Sequence, residues 1–318
     1  DVYLIIDVLK DYNFKKYDIY DIIQHKNIYN KDANIVVRVN DCDKTRVIKG
    51  NSQSRERAII KNYNNISYFI YNSLFIKNYY LKIFNELQLP NKGSKVIHNF
   101  CDKNVFKMNN NVCSINENKT IKIVTHHWSP NMHKGYQMYY DLWKYIQDNP
   151  DFKTKCGKSF EFIFIGKTVP EMFKAVPING PFVGIELVNE LNKCDIYITD
   201  SKYDSCPNHV TEAICCGLPI LYTDCDGGGK ELCEKSEYKI GESYKDFNDM
   251  IIQLNKIVEN YDFYCENIKK SQHYYSGNDF SNKYYNTLLL EINNCNHKTV
   301  SLVNKNNVVT LKPKNIND

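Results

Sequence analysis

At 318 residues with 42% hydrophobic content, the chain is long enough for two α/β domains, each burying its own core. A formal charge of +4, with no basic stripe interleaved with aromatics, argues against a nucleic-acid partner. The 12 cysteines are scattered without C-x-x-C spacing, and no run of about eighteen apolar residues or leader pattern occurs, so the chain reads as cytoplasmic, with reduced thiols and no membrane span.

In chain order, residues 20–24 and 35–39 read as strands, 55–61 as a helix, 66–70 as a strand, 75–87 as a helix and 96–98 as a strand. Residues 107–119 form a polar, Asn-rich connector, and the domain boundary is placed within it: a first domain over 1–112 and a second over 113–292. In the second, an apolar strand at 121–125 runs into His126, His127 and Trp128 and a loop closed by Lys134 and Gly135. A helix at 136–146 follows, then a strand at 160–165 ending in Gly166 and Lys167, a helix at 185–192, and a strand at 196–199 ending in Asp200, Ser201 and Lys202. Residues 293–318 lack apolar periodicity and read as a tail or a weakly attached strand.

The most informative stretch is 204–229. Pro207 suits a first helical turn, Gly217 the residue just past the helix end, and Pro219 forbids continuation, so Asp204 enters the helix and Glu212 sits on it. Residues 219–223 form a short apolar strand, and Gly227, Gly228 and Gly229 allow backbone N–H groups to approach a phosphate without Cβ obstruction. Short strands alternating with helices indicate a parallel sheet, in which ligands bind beyond the carboxyl ends of the strands, where these polar loops fall. The layout suits a phosphorylated sugar.

From Gly184 through Glu231 the chain resembles the donor-binding half of retaining, nucleotide-sugar-dependent glycosyltransferases, the glycosyl transferases group 1 (family 4). That family's E-x7-E motif, EAMACG-like helix and GG-x-x-E loop are matched by Asp204, Glu212-Ala213-Ile214-Cys215-Cys216-Gly217, and Gly227-Gly228 with Glu231. Lys134-Gly135 is similar to its phosphate-binding KG, and Ile97-His98-Asn99 with Asp102 and Phe106 to its interdomain linker. The first acid is Asp rather than Glu, Phe100 replaces the linker glycine, and the arginine before the KG lysine is absent. The resemblance implies an α/β, GT-B fold: two Rossmann-like parallel-sheet domains facing a cleft. The N-terminal one is shortened, and the chain reads as an excerpt or reduced form whose acceptor side is incomplete.

The implied activity is transfer of a sugar from a UDP- or GDP-linked donor to a hydroxyl acceptor, with retention and without metal or cofactor, the nucleotide sugar being substrate. Lys134 is the implied phosphate contact and Glu212 the ribose binder. Asp204 is placed beside the transferred sugar, holding hydroxyls. Gly135, His127, Lys167, Gly184, Asn208, Gly227 and Gly228 complete the donor set with His209, which either contacts the ligand or packs its helix. In the family a first-domain histidine approaches the sugar; here Asn40 or Asp41 is a substitute, and His25 competes. Asp41-Cys42-Asp43 and Asp224-Cys225-Asp226 imitate a metal-binding DxD, but their neighbours fit the metal-free reading better. A glycan, protein or lipid-linked acceptor fits, with peripheral membrane contact compatible. The rival reading is a nucleotide-sugar-binding or scaffolding module without turnover; an epimerase or phosphorylase would share the pocket.

Overall fold

A computed structural model describes residues 2–9, 17–45, 54–108, 120–155, 157–275, 277–293, 300–303 and 308–311. The chain forms two compact units, residues 1–98 with 280–318, and residues 99–279. Of the connector where the sequence placed its boundary, residues 109–119 lie outside the described set; the units themselves divide between His98 and Asn99, and the chain rejoins the first unit at Phe280.

The first unit begins with β1 (Val2–Ile5), α1 (Ile19–Tyr29), β2 (Asn34–Val39), α2 (Arg55–Lys61), β3 (Tyr68–Tyr71), α3 (Leu74–Glu86) and β4 (Gly93–Val96). The second contains β5 (Thr120–His127), α4 (Tyr136–Asp148), β6 (Ser159–Gly166), β7 (Ile178–Asn179), α5 (Ile185–Leu191), β8 (Ile196–Thr199) and α6 (Asn208–Cys215). It continues through β9 (Ile220–Thr223), α7 (Gly228–Cys233), β10 (Gly241–Tyr244), α8 (Phe247–Glu259) and α9 (Tyr261–Ser271). Helix α10 (Gly277–Asn293) leads back to the first unit, which ends with β11 (Val300–Val303) and β12 (Val308–Leu311).

Local chemistry accounts for the helix starts. Ser54 and Ser73 accept the backbone N–H groups of Arg57 and Ile76, and Asp246 that of Asp249, which satisfies donors that have no partner inside the helix. The same device corrects the expected strand at 20–24. Asp18 caps the segment and Asp21 reaches back to the Asp18 N–H, a complete capping box, so the residues form α1, with Ile19 and Ile22 buried at helical spacing.

The first sheet runs β12-β11-β1-β2-β3-β4, parallel except for the β11–β12 pair. Strand β1, which the sequence reading missed, is wholly buried in its middle, flanked by β2 and β11. Of the two readings of the C-terminal residues, a tail or an attached strand, the second holds for Val300–Val303, which pair Val300 with Val2 and extend the sheet. Leu288 of α10 packs on Val2, Leu4, Val36 and Ile70.

The second sheet runs β10-β9-β8-β5-β6-β7 and is parallel throughout. Its order reverses between β5 and β8, the switch point beyond which α/β sheets bind ligands. Alternation along β8 turns Ile196 and Ile198 toward the core shared with Tyr139 of α4 and Leu254 of α8, while Tyr197 faces the core shared with Val188 of α5 and Val210 and Ile214 of α6. Burying each such aliphatic side chain contributes about 1.5–3 kcal/mol, so α6 is anchored by its apolar face. No helix among the described residues is long and apolar enough to cross a membrane.

Candidate functional site

The carboxyl end of β5, the loop after β8 and helix α6 line a cavity of about 340 Å³ within the second unit. Strand β5 and the turn after it supply His126, His127, Trp128 and Ser129; the loop before α4 supplies Lys134. The opposite wall is Asp204, Cys206, Pro207, Asn208, His209 and Glu212, with Asn99 beside them.

Successive residues of a strand point to opposite faces, and this separates the two adjacent histidines. The buried His126 turns toward α6: its Nε2 lies 2.8 Å from Glu212 Oε2 and its Nδ1 3.1 Å from the Tyr197 hydroxyl. His127 turns toward α4, stacking on Tyr139 with its Nε2 3.0 Å from that hydroxyl. Its ring meets His209 edge-on at 4.7 Å, and His209 Nε2 lies 3.1 Å from Thr199 Oγ1. Burial, aided by the nearby Lys134 charge, holds both His127 and His209 well below the usual imidazole range. They are neutral at neutral pH. The Tyr139 oxygen also accepts the Asp200 backbone N–H at 2.8 Å, so its own proton is free to go to His127.

Lys134 is presented by a turn that Asn131 caps, and Gly135 follows with φ 90°, a conformation that favours glycine. A Cβ there would fall 2.4 Å from Cβ of Asp200, so only glycine lets this turn close onto the end of β8. Lys134 then forms an ion pair with Asp204. Asp200 itself is buried, accepts from the Tyr244 hydroxyl at 3.1 Å, and has its carboxyl pushed up by burial. On the facing loop, Asn99 Nδ2 donates to the Cys206 carbonyl and to Asn208 Oδ1, both at 2.8 Å, which ties the segment before the helix to the start of the unit.

Of the expected residues, Lys134, Asp204, His127, Asn208, His209 and Glu212 meet in this cavity, while Gly135 is not part of its lining and packs against Asp200. Lys167 is exposed after β6 and Gly184 precedes α5; neither lines the cavity. Gly227 and Gly228 also lie outside its lining, supporting the Asp204 loop instead. The Gly228 N–H donates to the Asp204 carbonyl at 2.6 Å, and a Cβ on Gly228 would sit 2.1 Å from the Ser205 carbonyl oxygen. The Gly228 N–H is therefore engaged with backbone, which removes this one of the turn's three expected phosphate donors.

His25 and Asn40 belong to the first unit. His25 does not follow a strand; it lies exposed within α1, its Nδ1 3.0 Å from the Tyr3 hydroxyl and its ring against Tyr29. Asn40 follows β2, accepts from Arg38 and donates to the Ile6 carbonyl at 2.9 Å, joining the ends of β1 and β2. Of the DxD-like pairs, Asp224 is ion-paired with Lys230, and among the described residues no group of three or more His, Cys, Asp or Glu is arranged to hold a metal ion. Sequence reasoning did not assign His126, Trp128, Ser129, Asn99 or Cys206 to the site. The available signal was their place at a strand end, in the linker or in the loop before α6.

Residues 121–260 match the family Glycosyl transferases group 1. An uncharacterized glycosyltransferase of Haemophilus influenzae is 27% identical over 161 residues, which are 49% of this chain and 44% of that protein, so the match spans less than half of the relative's length. Among solved structures, sucrose-phosphate synthase from Thermosynechococcus elongatus superposes with a TM-score of 0.62 at 13% identity, covering 85% of this chain and 71% of that one. Anabaena HepE in complex with UDP and glucose gives 0.60 at 15% identity, covering 84% and 74%. These likenesses establish the fold, that of the GT-B glycosyltransferases. The matched residues 121–260 hold the cavity's histidines, Lys134, Asp204 and Glu212, so the likeness to the glycosyl transferases group 1 covers most of the cavity.

Proposed function

We propose that the protein is a glycosyltransferase that moves a sugar from a nucleoside diphosphate donor, UDP- or GDP-linked, to a hydroxyl of a glycan, protein or lipid-linked acceptor, with retention and without a divalent metal. The observation that carries this reading is the single cavity in which a lysine, two carboxylates and three histidines converge at the sheet's switch point, inside the family-matched segment. The UDP and glucose held by the HepE structure support the donor class.

Each group has a role that its surroundings support. The Lys134 ammonium neutralises the departing diphosphate, the charge on which catalysis chiefly depends. Neutral His127 and His209 offer N–H groups to the same region without adding charge. Glu212 accepts hydroxyl hydrogens of the nucleoside sugar. Asp204, at the cavity wall beside Lys134, holds hydroxyls of the transferred sugar. The anomeric C–O bond to the diphosphate breaks as the acceptor oxygen bonds the same face of the sugar, and the acceptor's proton passes to the leaving phosphate. The thiols of Cys215 and Cys216, which form no disulfide, suit a cytoplasmic setting.

The test is ligand-induced stabilisation. UDP or GDP should raise the melting temperature in the presence of a chelator, because a ligand that binds only the folded state stabilises it. A rise seen only with added manganese or magnesium would overturn the metal-free reading. Donor hydrolysis should release sugar whose anomeric configuration, followed by NMR, is that of the donor. Binding with no release from any donor in the presence of acceptor extracts would instead identify a nucleotide-sugar-binding module.

A further inference from the structure

We infer that His126 is a positioning residue for Glu212, and that it makes the two oxygens of that carboxylate unequal, leaving Oε1 as the principal acceptor for a ligand hydroxyl. The inference rests on the preceding assignment of the cavity to a nucleoside diphosphate and deepens it.

The argument starts from the register of two strands. Val124 of β5 pairs with Tyr197 of β8, which sets the Tyr197 hydroxyl behind His126. That oxygen accepts the His126 backbone N–H at 3.2 Å and lies 3.1 Å from His126 Nδ1. Tyr197 is fully buried, and burial pushes its phenol well above the usual value, so it keeps its proton. The oxygen already accepts the His126 backbone N–H, so the proton it has to give goes to Nδ1. With Nδ1 as acceptor, the ring proton is on Nε2, which donates to Glu212 Oε2 at 2.8 Å. The tautomer is therefore set by the tyrosine, and the carboxylate by the tautomer. A partner that orients a functional group in this way commonly matters nearly as much as the group it holds.

The consequence concerns the ligand. Glu212 is partly exposed to the cavity, and Oε2 is the oxygen turned to the buried imidazole. Its Oε1 makes no hydrogen bond among the described residues. An oxygen already holding a charge-assisted hydrogen bond is a weaker acceptor for a second donor, so a vicinal diol meets one strong and one weakened partner. The site then reads one ribose hydroxyl more strictly than its neighbour.

Calorimetry can read this directly, using whichever of UDP and GDP binds more tightly, with its 2′-deoxy and 3′-deoxy forms. In the wild type one deoxy compound should bind about tenfold more weakly than the parent, the scale of one hydrogen bond to a charged group, and the other within about threefold. His126→Ala should weaken the parent about tenfold and abolish the difference between the deoxy forms, whereas His126→Gln, whose amide can still donate to the carboxylate, should retain both. Equal losses for the two deoxy forms with intact parent binding overturn the inference alone. Failure of the wild type to bind any nucleoside diphosphate overturns the nucleotide assignment and this inference with it. Should His126→Ala not fold, long-range ¹⁵N–¹H correlation on histidine-labelled wild type reports the tautomer: Nε2–H at His126 is expected, and Nδ1–H overturns the relay from Tyr197.

Discussion

Lys134 and Asp204, 70 residues apart in sequence, form an ion pair across the mouth of the cavity, each side chain only partly exposed. The lysine proposed for the diphosphate and the acid proposed for the transferred sugar thus hold one another. On the proposed assignment, a phosphate entering the site would compete with Asp204 for the ammonium, and displacement would free the carboxylate for the sugar.

That competition separates binding from chemistry at Asp204. In Asp204→Asn the ammonium loses its internal partner, so nucleoside diphosphate affinity should hold or rise, while transfer or donor hydrolysis falls at least about tenfold because the reacting geometry is lost. Asp204→Glu tests the length of the arm: a gain in turnover marks the shorter acid as a weakened feature, a loss marks a pocket fitted to it. Nucleotide affinity falling in step with turnover in Asp204→Asn would remove this residue from the sugar side of the site.

Glu212→Ala should weaken nucleoside diphosphate binding by about 1–3 kcal/mol, the scale of lost hydrogen bonds to a charged group. The helix should stay folded, since α6 is anchored by Val210, Ala213 and Ile214. Unchanged affinity in calorimetry would exclude Glu212 from contact with the nucleotide.

Gly135→Ala should be among the more damaging single changes in this unit. The new Cβ would meet Asp200 Cβ at 2.4 Å and its carbonyl oxygen at 2.7 Å, at a φ of 90°. Strain and overpacking together cost about 2–4 kcal/mol, readable by urea denaturation. Gly157→Ala is the control, with φ 78° but nothing within 4 Å of a new Cβ, and should cost about 1 kcal/mol. Equal losses at the two positions would show that crowding against Asp200 is relieved.

His127 and His209 impose a pH dependence of definite sign. Their folded-state pKa values lie well below the ordinary 6.5, so as pH falls below that value the unfolded chain takes up protons that the folded chain does not. Their contribution to stability is complete above pH 6.5 and is lost as pH falls toward the folded-state values, each group giving a slope of up to about 1.4 kcal/mol per pH unit. Denaturation at pH 7.5 and 5.5 should show the loss, and His127→Gln should reduce it. A wild type equally stable at both values would mean that the two rings are protonated within the fold.

Local patterns in the chain were sufficient for the elements whose causes are local. The alternation and apolar runs of β6 and β8, the Ser54-capped helix α2, and the Pro207-to-Gly217 bracket around α6 all fall where the residues place them. So do Asp204 and Glu212, because seven intervening residues span one loop and one helical turn. Tertiary structure decided what depends on contacts distant in sequence. Strand β1 has four residues and little signal of its own, and it is defined by pairing with β2 and with β11, nearly three hundred residues later in the chain. Lys134 meeting Asp204 and His126 meeting Glu212, 86 residues apart, follow from the order in which β5, β8 and the loops beyond them lie side by side. Within the three-glycine turn, likewise, only the packed structure shows that Gly228 approaches Ser205 and bonds the Asp204 carbonyl. Side-chain periodicity reports which face of an element is buried; it carries no information on which other element covers that face, and the site is made of those pairings.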